Sequence, residues 1–121
     1  MEISHKAATL EFLEFLADIS NPATGEISAE RLATWLCWSE AELHQRWVSR
    51  GLYVPWPLFA DELLSVLDAV QDVTCDLEKT VEWYLHEPIE GFEMRTADEI
   101  VSAGEARRLV FSIKRQIVQI R

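Results

Sequence analysis

Cysteine is all but missing from this chain: Cys37 and Cys75 are the only two. Without a Cys-x-x-Cys pair or a secretory setting they predict neither a zinc ribbon nor a disulfide framework, but two buried thiols in a reducing compartment. Histidine is as thin, and His5, His44 and His86 stand far apart, so no metal site and no cofactor is expected. The four glycines form no phosphate-cradling run, and neither a nucleophile elbow nor a catalytic His/Cys pairing occurs. With 21 acids, carboxylate pairs are inevitable and carry no catalytic meaning by themselves. The chain is not expected to be an enzyme. It has no run of about 18 apolar residues, and its first stretch, MEISHKAATLEF, lacks the apolar centre of a signal peptide. A cytoplasmic location is expected.

Positive charge is scarce as well. Eleven Lys and Arg face 21 Asp and Glu, for a net charge of -10. Such a surface repels phosphate backbones and anionic membranes at long range, so a nucleic-acid contact would need a local basic patch. A basic protein is the better-matched partner. The imbalance is also uneven, because residues 51–100 carry twelve acids and two bases, and residues 101–121 five bases and one acid.

Apolar material is plentiful. At 49% hydrophobic, 121 residues can bury a core as one domain or two very small ones. The apolar period is helical throughout, which predicts an all-α fold. From Ser4 to Ile19, the residues Ala7, Ala8, Leu10, Leu13 and Ile19 recur at helical spacing, with Phe12, Phe15 and Leu16 beside them. The turn residues from Ser20 to Gly25 end that helix. Between Ile27 and Gly51, two short helices flank a tight turn. Ile27, Leu32 and Leu36 mark the first; Ser39 with Glu42 forms a capping box for the second, whose buried side runs through Leu43, Trp47 and Val48. This is the outline of a helix-turn-helix, with Cys37 where many such turns carry glycine. Its second helix would offer His44, Gln45, Arg46 and Arg50 to DNA, with Glu40 and Glu42 offsetting the arginines. The rival reading of the same stretch is a helical hairpin that packs and dimerises.

Leu52 to Pro57 reads as an extended connector, because each proline disfavours helix in the residue before it. It divides the chain into an N-terminal helix plus helix-turn-helix-like region, 1–55, and a small helical binding or dimerisation domain, 56–121. Pro57 opens a long amphipathic helix to Val73, with Trp56 as a lid upon it. Asp76 caps the next helix, which carries Leu77, Val81, Tyr84 and Leu85 on one side and ends before Pro88. Thr96 with Glu99 forms a second capping box, and Gly104 stops the short helix that it opens. A last helix from Glu105 to Ile120 buries Leu109, Val110, Ile113, Ile117 and Ile120 and displays Arg107, Arg108, Lys114, Arg115 and Arg121. The loop from His86 to Arg95 sets Ile89, Phe92 and Met94 among Glu87, Glu90 and Glu93. Aromatic and methionine anchors suit a protein interface, and an acidic rim steers a basic partner. Trp83 and Tyr84 read equally well as anchors or as core, whereas Phe92 and Met94, lying in the loop, are the stronger interface candidates.

Leu85-x-x-Pro88, then Thr96-Ala97-Asp98-Glu99-Ile100 beginning eleven residues after that leucine, then a helix beyond Gly104, resembles the toxin-binding domain of Xre/MbcA/ParS-type antitoxins. That family's pattern is a Trp-Leu helix end, a Pro-Asn-Pro loop with glycines, and a Thr-Pro-x-Glu-Leu helix start. A helix-turn-helix ahead of the domain is similar too, so the resemblance covers about Ile27 to the C-terminus. Leu85, Pro88, Thr96, Glu99 and Ile100 match; Ile89 and Glu90 stand where Asn-Pro is usual, Glu93 and Met94 where glycines are usual, and Ala97 where proline is usual. The resemblance implies an antitoxin that binds and neutralises a RES-domain toxin, an NAD-consuming enzyme, and that acts as a homodimer able to bind operator DNA. Its toxin interface would be built by Trp83, Leu85, Pro88, Ile89, Phe92, Met94, Thr96 and Glu99. The alternative is a solitary helix-turn-helix regulator or interaction module with no toxin partner.

Overall fold

The structure, a computed structural model, describes residues 2–51, 53–118 and 120, with side chains described from residue 10 onward. Leu52 of the connector, Arg121 of the basic end and the side chains of His5, Ala7 and Ala8 lie outside the described residues. Among those residues the fold is all-helical: α1 (Glu2–Ile19), α2 (Ala29–Trp35), α3 (Glu40–Arg50), α4 (Trp56–Thr74), α5 (Leu77–His86), α6 (Ala97–Ser102) and α7 (Ala106–Lys114). None of these helices is long and apolar enough to cross a membrane.

The helix starts follow from local chemistry. Both capping boxes close: Ser39 Oγ accepts from the Glu42 N–H at 3.1 Å while Glu42 returns the favour to the Ser39 N–H at 3.0 Å, and Thr96 and Glu99 do the same at 3.2 and 3.0 Å. Ser28 and Asp76 cap α2 and α5 by accepting from the third N–H beyond them. Each such cap is worth about 1 kcal/mol. Three helix ends share one device. After α2, α6 and α7 the chain turns through a left-handed residue, Cys37, Gly104 and Gln116 respectively. In each case the left-handed residue and its successor donate back to the last turn, the Schellman arrangement. Only Gly104 adopts that backbone without steric cost.

This device corrects the reading of the last helix. It stops at Lys114 and not at Ile120, because Gln116 takes φ 60° and the Ile117 N–H closes onto the Ser112 carbonyl at 2.9 Å. Ile117 is thereby thrown outward, 68% exposed, and Val118 inward. It also corrects the thiols. Cys37 and Cys75 are exposed, since each occupies a left-handed position just past a helix, where the chain turns away from the core.

α4 is the hub. Phe59, Leu63, Val66, Leu67 and Val70 repeat at helical spacing and are fully buried, and α1, α3, α5, α6 and α7 all pack on this helix. Burying one such side chain is worth about 1.5–3 kcal/mol. A single apolar cluster joins Phe15 and Ile19 of α1, Leu32 of α2 and Leu43 of α3 to Tyr84, Ile100, Leu109 and Ile113. The connector is stitched to that core by two indoles. Trp47 Nε1 donates to the Val54 carbonyl at 2.7 Å, and Trp56 Nε1 to the Ile27 carbonyl at 2.8 Å. Their rings meet edge to face at 5.5 Å, and Trp56 also rests against Phe59 at 5.9 Å.

Two helix faces differ from the sequence reading. In α1 the buried stripe is Phe12, Phe15, Leu16 and Ile19, spaced i, i+3, i+4, i+7, which leaves Leu10 and Leu13 outside at 60% and 53% exposure. In α3 the inner stripe is Leu43, Arg46, Trp47 and Arg50 by the same spacing, so Val48 faces solvent.

Candidate protein-docking site

α5, the loop that follows it and the chain after α7 enclose an open groove of about 1140 Å³. Its apolar lining is Trp83, Pro88, Ile89, Ile117 and Val118; its rim holds Asp76, Glu78, Glu82, Glu87 and Glu90 against a single lysine, Lys79. Capping by Asp76 starts α5, and the helix then presents Glu78, Glu82 and His86 along one edge at successive turns. An apolar floor under uncompensated carboxylates is chemically suited to a basic, partly apolar protein segment.

The loop owes its shape to a tight ring of backbone hydrogen bonds. The Ile89 N–H donates to the Arg95 carbonyl at 2.9 Å, and the N–H groups of Phe92 and Met94 donate to the Ile89 carbonyl at 3.1 and 3.2 Å. To close that ring, Glu93 and Met94 both take left-handed backbone, at φ 60° and 58°. For residues with a Cβ this costs about 1–2 kcal/mol each. Below the ring, Ile89 and Phe92 are plugged into the core, each 4% exposed. Arg95 ties the exit, with Nε donating to the Phe92 carbonyl at 3.1 Å and Nη1 to Glu105 at 2.8 Å. Arg108 lies over the Phe92 ring at 4.4 Å and donates to the other oxygen of Glu105 at 2.8 Å. Clasped by Arg95 and then Arg108, the Glu105 carboxyl titrates below its ordinary value. The consequence is one large apolar side chain at the loop's surface, Met94 at 59% exposure.

The residues expected at a toxin interface therefore part company. Trp83, Pro88 and Ile89 meet in the groove, although Trp83 and Ile89 present little surface to it, at 7% and 4% exposure. Leu85 is half-buried at the end of α5. Phe92 is a correction: the turn directs its ring inward and Arg108 covers it, so it is a core residue and not an exposed anchor. Thr96 and Glu99 are occupied in capping α6.

The expected DNA readers divide as well. His44 and Gln45 are exposed. Arg46 and Arg50 are not free: Arg46 Nε bonds both oxygens of Asp98 at 2.8 Å, and Arg50 grips Glu62 through Nε and Nη2 at 2.6 and 2.7 Å. Arg46 also lies 4.4 Å above the ring of Trp38. Their place on the inner stripe of α3 turns them to α6 and α4, which corrects their assignment as open DNA contacts. Burial raises the Asp98 carboxyl above its ordinary value, with Arg46 opposing. Tyr84 shares this region. It is fully buried, its hydroxyl has no hydrogen-bond partner among the described residues, and burial followed by the Asp98 charge drives its ionisation well above the usual range. The residues that sequence reasoning missed are thus Glu62, Asp98 and Glu105. The spacing of Leu43, Arg46, Trp47 and Arg50 was the available signal for the first two.

Among the described residues no three His, Cys, Asp or Glu side chains gather as a metal site requires. Comparison with protein-family models, curated proteins and solved structures finds no match to this chain.

Proposed function

We propose that this chain is an antitoxin that neutralises a RES-domain, NAD-consuming toxin by holding a basic segment of it in the groove between α5, the 87–96 loop and the chain after α7. The observation that carries the reading is the backbone of Glu93 and Met94. These are the positions where the antitoxin pattern has glycines, and both adopt left-handed φ, the conformation for which glycine is used. The side chains depart from the pattern while the loop retains the backbone demand. Neutralisation would come from occupancy: the acidic rim steers the toxin, and Pro88 and Ile117 of the groove, with Met94 on the loop, supply apolar contact. The chain itself contributes no catalysis and no cofactor, and acts as a cytoplasmic homodimer. Operator binding through α3 belongs to the same proposal, with His44 and Gln45 as readers; recruiting Arg46 or Arg50 would break a formed ion pair. That cost favours the antitoxin over a solitary DNA-binding regulator.

The test is co-expression with the RES-domain toxin that the proposal requires in the neighbouring reading frame. Growth is restored by the wild-type chain and lost again with Met94→Asp combined with Glu87→Lys and Glu90→Lys, all at exposed positions. Unrelieved toxicity with the wild-type chain present would sink the proposal.

A further inference from the structure

Two faces of this molecule carry charges of opposite sign that make no strong ion pair among the described residues. One is a second groove, about 620 Å³, walled by α1, α2 and α5. Its floor includes Phe15, Trp35 and Val81, and its rim includes Glu14, Glu78 and Glu82. Trp35 is 38% exposed yet fixed, its ring edge-on to Phe15 at 5.0 Å and its N–H donated to Asp18. Among the described residues Glu14 and Glu78 make no ion pair, and Glu82 meets only His86, at 3.7 Å. The other face is the outer side of α7 and its end. Arg107, Phe111, Lys114 and Arg115 fall there at i, i+4, i+7 and i+8. Phe111 is 56% exposed under the Arg115 guanidinium, 5.2 Å from its ring centre. These three cations make no ion pair among the described residues, although Lys114 lies near enough to Asp68 of α4 to oppose the rise that burial gives its carboxyl; Arg46, Arg50, Arg95 and Arg108 are all paired.

We infer that a second copy of this chain docks the outer face of its α7 into the α1–α2–α5 groove, head to tail, with Phe111 against Trp35 and the cations of α7 against Glu14, Glu78 and Glu82. α7 is held on α4 and α6 and cannot leave that seat to fill a groove of its own molecule, so the complementary faces pair only between molecules. The net charge of -10 opposes association at long range. That repulsion is screened beyond about 8 Å at physiological salt, while charges in contact are screened far less. A nine-residue helix covers less than the roughly 1,200 Å² of a standard interface, so the contact is a weak one. Because donor and acceptor faces differ, the interface is heterologous, and each added copy leaves one face of each kind open unless a ring closes. This inference does not require a toxin, but it shares Glu78 and Glu82 with the rim of the first groove and makes the proposed homodimer the first step of this association; sedimentation of the chain alone reads it without the toxin.

Sedimentation velocity on the full chain decides it. At physiological salt the average mass rises with concentration above the 13.9 kDa monomer and falls back to it at about 1 M salt, where the screening length is about 3 Å. E14K/E78K/E82K and, separately, K114E/R115E each weaken association at least about tenfold. Mixed one to one, the neutral sets E14Q/E78Q/E82Q and K114Q/R115Q give a dimer and nothing larger, since each retains one intact face and its altered face has no charge for the other to match. Circular dichroism confirms the fold, and the neutral E14Q/E78Q/E82Q and K114Q/R115Q sets replace any reversal that unfolds. A wild type that is monomeric throughout, association that survives either substitution set, or a mixture that stays monomeric overturns the inference.

Discussion

Arg46→Met tests the structural role of Arg46 apart from any role in reading DNA, because methionine keeps an apolar stem on the inner stripe of α3 and removes the guanidinium that bonds Asp98 and lies over Trp38. The partner left behind, Asp98, is 10% exposed, and Arg46 itself 24%. Breaking a sealed buried pair costs about 3–5 kcal/mol, and one charge-assisted hydrogen bond is worth about 1.5–3 kcal/mol. Since water reaches the edge of this pair, a loss of about 2–3 kcal/mol at neutral pH is expected. Adding Asp98→Asn should recover about half of it, by removing the stranded charge. The loss should also depend on pH. Burial already raises the folded-state value of Asp98, and removing Arg46 raises it further. A carboxyl raised on folding binds its proton more tightly in the native state, so its penalty exists at neutral pH and disappears as pH falls through the folded value. The gap between wild type and Arg46→Met should therefore narrow from pH 7 to about pH 4. Urea unfolding followed by circular dichroism at the two pH values measures it. A neutral-pH loss under about 0.5 kcal/mol, or a gap that ignores pH, would refute the reasoning.

Tyr84→Phe should leave stability unchanged or raise it by about 1–2 kcal/mol, because the deleted hydroxyl is buried without a partner among the described residues; a loss beyond about 1 kcal/mol in the same unfolding assay would mean that the oxygen is bonded. Cys37→Gly should stabilise by about 1 kcal/mol by relieving left-handed backbone at the end of α2, read as a rise in melting temperature. Met94→Gly should raise stability for the same reason while, on the proposed function, weakening binding of a toxin partner, so the melting point and the binding signal should move in opposite senses. Glu105→Gln should selectively remove stability held above the ordinary glutamate range: a carboxyl depressed on folding contributes there and loses its contribution as pH falls through the folded value, so wild type and variant should converge in acid melts.

What could be read from sequence was local. Ser39 with Glu42 and Thr96 with Glu99 announce helix starts because cap and acceptor lie three residues apart and need nothing else. The all-helical class followed from apolar period. The partners of Arg46 and Arg50 lie 52 and 12 residues away, and only the helix face on which the arginines stand hinted that they look inward. The end of α7 was hidden because glutamine occupies a position that glycine usually marks. The loop was obscured in the same way: the side chains of Glu93 and Met94 do not advertise a left-handed backbone, only the glycines usual at those positions in the resembled pattern do, and without that turn Phe92 looked like a surface anchor. The leucines of α1 misled for a different reason. Helical spacing admits two apolar stripes there, and packing on α4 selects the aromatic one.

The indole stitches across residues 51–55 bear on how such a protein could diversify. A chain with a free linker can exchange its front half by recombination while keeping its back half. Here a crossover in that segment would strand the Trp47 and Trp56 N–H groups and split an apolar cluster to which both sides contribute. The two halves must be inherited together, and new partners must be gained by substitution on the surface.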